Sequence, residues 1–134
     1  MVNLDLSAAE KAQAILRATI DQDEDISNVD NLATKTLGVL QENGVYAAVL
    51  FLHSRTRKKD KEMAEQISRY LLELLPEVGI EAAPLLHQKD AQKVLKFLSG
   101  HVLCDLDQLL LVKRIWEQTL IYTRYGAKAR EEKE

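Results

Sequence analysis

The sequence predicts an all-α protein, a single domain over residues 1–134 built as a bundle of five to six helices with a long C-terminal helix. Three observations carry that reading. Apolar residues recur at three- and four-residue intervals along most of the chain. With 5 Gly and 2 Pro there is little turn chemistry for a many-stranded β fold. Hydrophobic residues make up 46% and aromatics 5%, so the core must be mainly Leu, Val, Ile and Ala, which suits helices. A length of 134 residues points to one domain, and no linker or internal repeat divides it.

The first helix is expected over residues 5–20, with Ala12, Ile15, Leu16 and Ile20 on its apolar face. A second starts near Ser27, where Ser27 and Asp30 stand at capping-box spacing. Val29, Leu32, Ala33, Thr36, Leu37 and Leu40 then recur at helical intervals. Gly44 suits the left-handed residue that ends a helix. Residues 45–52, VYAAVLFL, fit a buried strand by periodicity alone. Ala47, Ala48 and the lack of a nearby strand partner favour a short helix. Having no polar face, that helix is expected inside the molecule.

A loop over residues 54–59 follows, and Asp60 can cap a fourth helix with Met63, Ile67, Tyr70, Leu71 and Leu74 on one face. Pro76 and Gly79 stop it. Residues 80–86 are ambiguous. A fifth helix is read over residues 90–99, with Ala91, Val94, Leu95 and Leu98 inward and Gly100 closing it. The last helix runs over residues 105–129. The charged tail, residues 127–134, is expected to fray.

Composition bounds the function. A net charge of −3 argues against gripping nucleic acid by bulk charge, yet the charge is uneven: residues 21–30 hold five acids, and residues 55–61 hold five bases and one acid. A local basic face can bind phosphate on a net-acidic protein. One cysteine, Cys104, excludes an intramolecular disulfide and fits a reducing cytosol, so a cytoplasmic location is expected. The opening MVNLDLSAAEKAQ lacks a basic segment followed by an apolar one, so no secretion signal is expected. The longest apolar run, residues 45–52, falls far short of the ~20 residues a bilayer span needs, so no membrane partner is expected.

Chemical motifs are scarce. Asp21, Asp23 and Asp25 alternate as at the start of an EF-hand loop, but that loop needs Gly at its sixth position and Glu at its twelfth. Here those positions hold Ile26 and Leu32, so a solvated acidic loop is the better reading. His101 and Cys104 could share a helix face, while His53 and His87 are isolated, and nothing supplies the four ligands of a zinc site. No GxxxxGK[ST], GxGxxG or nucleophile elbow is present. The expectation is a protein that is not an enzyme and carries no metal or cofactor.

The basic features are more informative. Arg55, Arg57, Lys58 and Lys59, with Lys61 beyond, sit on a loop entering a helix. Phosphate is bound by such side chains and by helix N-terminal N–H groups, although a solvated loop that keeps the protein soluble has the same composition. On the last helix Leu109, Val112, Trp116 and Leu120 face one way. Lys113, Arg114, Arg124 and Lys128 fall in a sector flanking that stripe, with Ile121 inside it and Tyr125 at its edge. Such a surface suits RNA or another subunit, or is a solvent face with two incidental hydrophobes. Trp116, on the apolar stripe, reads as core rather than as a base-stacking platform.

Three segments resemble a known family. Glu10-Lys11-Ala12, residues 37–52 with the Asn43-Gly44 break and the Phe51-Leu52 ending, and residues 109–129 with Tyr122-Thr123-Arg124-Tyr125-Gly126 are similar to the small all-helical subunit of the Cmr complex, the type III-B CRISPR RNA-targeting machine. Residues 56–107 align only in helical character. The chain departs from the family pattern at Ile121, where the family usually has Trp, and at Thr123-Arg124, where it tends to have two bases. The resemblance implies a non-catalytic subunit of an antiviral ribonucleoprotein. Its partners would be the other Cmr subunits, the backbones of the guide RNA and target RNA, and copies of itself in a short filament. On that implication Arg55, Arg57, Lys58, Lys59, Lys61, Lys113, Arg114, Arg124 and Lys128 contact phosphates without reading sequence. The small subunit of the related Csm (type III-A) complex, or a helical protein–protein adaptor without RNA binding, is the alternative.

Overall fold

The computed structural model describes residues 3–81, 90–101 and 105–131. These contain six α-helices and one 3-10 turn, in the order α1 (Leu4–Thr19), α2 (Asp23–Asn43), α3 (Val45–His53), α4 (Lys58–Leu72), the turn Leu75–Val78, α5 (Ala91–His101) and α6 (Leu106–Glu131). No strand occurs among the described residues, so the all-α reading and the long final helix hold. Of the ambiguous residues 80–86, those after Glu81 lie outside the described residues, as do His87 and Cys104.

α1 begins where Asn3 Oδ1 accepts the N–H of Leu6 at 3.0 Å. It buries Ala8, Ala12, Ile15, Leu16 and Thr19, while Ile20 becomes the half-buried C-cap. α2 starts four residues before the expected Ser27, which is exposed inside the helix. The acidic segment supplies the start. Asp25 Oδ2 accepts the backbone N–H groups of Asp21 and Gln22, each at 3.0 Å, and so fixes the chain as it enters the helix. The segment is therefore not wholly a solvated loop, because Asp25 is 1% exposed. The inward residues of α2 expected from periodicity, Val29 through Leu40, are all buried.

Gly44 ends α2 and starts α3 at φ +95° and ψ −174°, an extended conformation with positive φ rather than the left-handed helical one. α3 corrects a second expectation. It buries Val45, Ala48, Val49 and Leu52 but leaves Tyr46 37% and Leu50 49% exposed, so an apolar sequence does not enclose it. α4 begins at Lys58 rather than at Asp60, which lies within its first turn. It buries Met63, Ile67 and Leu71, with Tyr70 half-buried. The 3-10 turn ends at Gly79, at φ +86°. α5 runs through Gly100 to His101 and turns Val94, Leu95 and Leu98 inward.

α6 is the spine. Asp105 Oδ1 accepts the N–H of Gln108 at its start, and the helix continues into the charged tail as far as Glu131, with Ala127 buried. It packs most extensively on α1 and α2. Gly126 allows the close approach to α1, since a Cβ there would sit 2.5 Å from Leu16 Cδ1. Of the expected stripe, Val112, Trp116 and Leu120 are fully buried, while Leu109 is half-buried. The Trp116 indole Nε1 donates to the Leu71 carbonyl at 2.8 Å and ties α6 to the end of α4.

One polar clasp lies beside this core. The Lys59 ammonium sits 2.5 Å from Asp25 Oδ1 and 3.9 Å from Glu24, joining the start of α4 to the start of α2. The cation beside it holds the Asp25 carboxyl below its ordinary range, helped by the Asp21 and Gln22 N–H groups and opposed by burial. Asp25 in turn raises the Lys59 ammonium.

Two outcomes test this packing. Trp116→Phe is expected to cost about 1–3 kcal/mol through the missing hydrogen bond and the incompletely filled space, measured by urea unfolding followed by helical circular dichroism. An unchanged midpoint would remove Trp116 from its structural role. The clasp is tested by pH. A depressed carboxylate contributes stability above its unfolded value near 3.8 and loses it as pH falls through the lower folded value. The raised ammonium contributes fully below 10.5 and loses that contribution as pH climbs through its higher folded value. Lys59→Met leaves Asp25 buried without its cation, so the acid loss of Tm should move to higher pH than in the wild type. Superimposable Tm profiles through the acid range would show that the ion pair is not coupled to folding.

Candidate nucleic-acid interface

The basic loop is short and anchored at both ends. Ser54 closes α3, its N–H and Oγ both donating to the Phe51 carbonyl at 3.1 and 2.7 Å. The Arg55 guanidinium lies over the Phe51 ring, 4.1 Å from its centre, and Nη2 donates to Ser54 Oγ at 3.2 Å. Stacking fixes the plane of the guanidinium. Arg55 Nε has no protein partner among the described residues. Arg57, exposed, is the N-cap of α4, and Lys58 opens that helix, also exposed. Both stand at the positive end of the α4 dipole.

A groove of about 370 Å³ lies between this loop, α2 and the first turns of α4. Arg55, Arg57 and Lys35 bring three cations to it, and Asn28 and Asn31 add amides. The α2 residues were missed by sequence reasoning. Their spacing of three and then four places them on one polar helix face, and that pattern was the available signal. Lys59 also lines the groove, but its charge is committed to Asp25. On its other side a smaller cleft is lined by Asp21, Asp25 and Glu62. Asp60 also lines the groove, so cations outnumber acids there rather than stand alone, and Lys59 separates it from the acidic cleft. Lys61 and Lys58 are exposed and lie outside the groove lining.

The cations predicted on α6 fall into two kinds. Lys113 pairs with Glu117 at 4.0 Å, and Arg124 Nε lies 3.7 Å from Asp30 Oδ1 on α2. Both are half-buried and serve the helix surface. Arg114 and Lys128 are exposed, with Tyr125 65% exposed on the same side and Ile121 half-buried. None of the α6 cations lines the groove beside Arg55, so the fold does not merge the two basic sets into one site.

Planar guanidinium donors held by an aromatic ring and a neighbouring lysine suit a phosphate or carboxylate oxygen. They offer charge and hydrogen bonds. His53, at the end of α3, lies with Nε2 3.3 Å from Ser68 Oγ, and burial pushes its imidazole below the ordinary value against an opposing pull from Glu65. Among the described residues no three His, Cys, Asp or Glu side chains converge as metal ligands. No described helix is long and apolar enough to cross a membrane.

No protein-family model matches the chain. No curated protein matches it in sequence. Its fold does match a solved structure, that of a CRISPR-associated Cmr5 family protein from Thermus thermophilus, with a TM-score of 0.64 over 96% of this chain and 97% of that one. Identity is 16%. The chain has the fold of a Cmr5 family protein over almost its whole length.

Proposed function

We propose that this protein is a non-catalytic small subunit of a type III-B CRISPR ribonucleoprotein, holding the backbone of a guide–target RNA duplex. The observation that carries the reading is the end-to-end fold match to a Cmr5 family protein, covering 96% and 97% of the two chains. Two unrelated helical proteins can share one helical pair. A match that runs along nearly the whole of both chains is a stronger constraint. The groove fits the RNA part of the proposal, because Arg55, Arg57 and Lys35 reach it without an ion-pair partner among the described residues. Arg114 and Lys128 on α6 form a second contact, and Lys58 and Lys61 extend the first. Lys59, Lys113 and Arg124 support these contacts from their ion pairs.

The proposed assembly also needs protein contacts. Leu106, Leu110 and Leu111, 42–66% exposed at the start of α6, supply apolar surface for a neighbouring subunit or a second copy in a filament. An adaptor without RNA would use the same leucines and leave the basic groove idle. The Csm small subunit, a similar helical role in the type III-A machine, differs in the partners it would bring.

Affinity purification of the tagged protein from its native host separates these readings. A large polymerase-like subunit, repeated backbone subunits and short guide RNAs are expected to copurify. Recovery with unrelated proteins and no RNA would overturn the proposal. Within the purified assembly, replacing Arg55, Arg57 and Lys58 together by Ala, with Lys59 kept so that the clasp survives, should weaken target RNA binding. The salt dependence should flatten by roughly 0.7–0.9 in log–log slope for each phosphate no longer neutralised. An unchanged slope would remove this loop from the RNA interface.

A further inference from the structure

A second cleft lies on the opposite end of α3 from the basic loop. It runs between the first turn of α3 and α5, has a volume of about 350 Å³, and is lined by Tyr46, Gln92, Lys93, Leu95, Lys96 and Ser99. Its construction follows from the chain. The Gly44 break places Tyr46 one residue into α3, on the face that the core does not cover, where it is 37% exposed. On α5, Gln92, Lys96 and Ser99 stand at intervals of four and three, and Lys93 precedes Lys96 by three, so these side chains share one side of the helix. Val94 and Leu98 hold the opposite side in the core at 0% exposure.

Charge decides what the cleft suits. Its lining carries two lysines and no acid. Neither lysine ammonium makes an ion pair or hydrogen bond among the described residues, although the protein as a whole is net acidic. An aromatic ring beside two free ammonium groups matches the alternation of base and phosphate in a single strand. Ser99 Oγ donates to the Leu95 carbonyl at 3.0 Å, which leaves its lone pairs to accept. The Gln92 amide can donate and accept. Together they suit a ribose 2′-hydroxyl.

We infer that the α3–α5 cleft is a binding site for single-stranded RNA, with one base stacked on Tyr46 and the flanking phosphates on Lys93 and Lys96. This site shares no residue with the groove at Arg55, and the inference does not depend on membership in a CRISPR assembly. The exposed face of α3 connects the two. From Tyr46 through Leu50 to Ser54 it spans about 12 Å at 1.5 Å per residue.

The test uses the full chain and a fluorescein-labelled oligouridine, followed by anisotropy across a salt series. Tyr46→Ala should weaken binding by about 5- to 150-fold, the range for loss of one stacked base. Tyr46→Phe, which keeps the ring, should stay within about twofold. Lys93→Ala with Lys96→Ala should lower the log–log salt slope by about 1.4, at roughly 0.7 per phosphate on a single strand. The lysines are exposed, so this variant should keep the wild-type circular dichroism. Wild-type binding that is absent, or unaltered in both variants, would overturn the inference. So would equal affinity for the matching oligodeoxyribonucleotide, or full displacement by polyglutamate at equal charge, which would make the cleft a site for acidic peptide. The Arg55/Arg57/Lys58 variant in parallel separates the two grooves. Loss there alone leaves the duplex contact standing and removes this one.

Discussion

The fold depends on how α6 is held. Its buried stripe needs partners along its length, and the other helices supply them: α1 and α2 along the helix, with the end of α4 at Trp116. Trp116 is the largest fully buried side chain and carries a polar N–H into a region of Leu and Ile. An unpartnered indole N–H there would cost free energy, so the hydrogen bond to the Leu71 carbonyl decides which register of α6 against α4 is acceptable. A shift by one turn would strand the donor. Once that register is set, Gly126 falls opposite Leu16 and α1 can close on α6. The remaining helices then have defined surfaces to cover.

The same geometry sorts the cations. A basic residue near an acid becomes part of the scaffold, and one without a neighbouring acid stays available for a ligand. Lys59 meets Asp25, Arg124 meets Asp30, and Lys113 meets Glu117. Arg55, Arg57, Arg114 and Lys128 meet none among the described ion pairs. Sequence density alone ranks Lys59 with its neighbours on the loop. Its role differs because the turn that starts α2 delivers a buried carboxylate to it, and stripping a buried charge of its partner is far more costly than breaking an exposed pair. The clasp also positions the loop, since it fixes where α4 begins relative to α2.

Much of the fold was legible because helix periodicity is local. The buried sets on α2, α4 and α6 follow directly from three- and four-residue spacing. The errors arose where a local pattern had a competitor. Ser27 and Asp30 imitate a helix start, but Asp25 caps the chain earlier because its second oxygen can also reach Lys59. Asp60 imitates another, and α4 starts before it. The continuous apolar run in α3 suggested burial all round, yet α3 packs on α2, α4 and α5 and leaves the side carrying Tyr46 and Leu50 uncovered. Of the basic groove, Arg55 and Arg57 were visible as a cluster. Lys35 and the two asparagines were not, because only the packing of α2 against α4 brings them to the loop.

A net charge of −3 limits what any of these contacts can do alone. Three cations in an open groove release few counterions, and acids at the neighbouring cleft repel the same phosphates. On the proposed reading, such a surface would give one copy a weak, salt-sensitive hold on RNA. Repetition changes that arithmetic. When copies are held side by side, each further contact forms at a high effective concentration, so modest individual grooves combine into a stable grip. Weak single sites also carry an advantage on the proposed reading: an isolated copy does not sequester cellular RNA, and binding becomes strong only where assembly has aligned the copies along one duplex. On that reading, the exposed leucines at the start of α6 would set the array and the unpaired arginines beside α2 would use it.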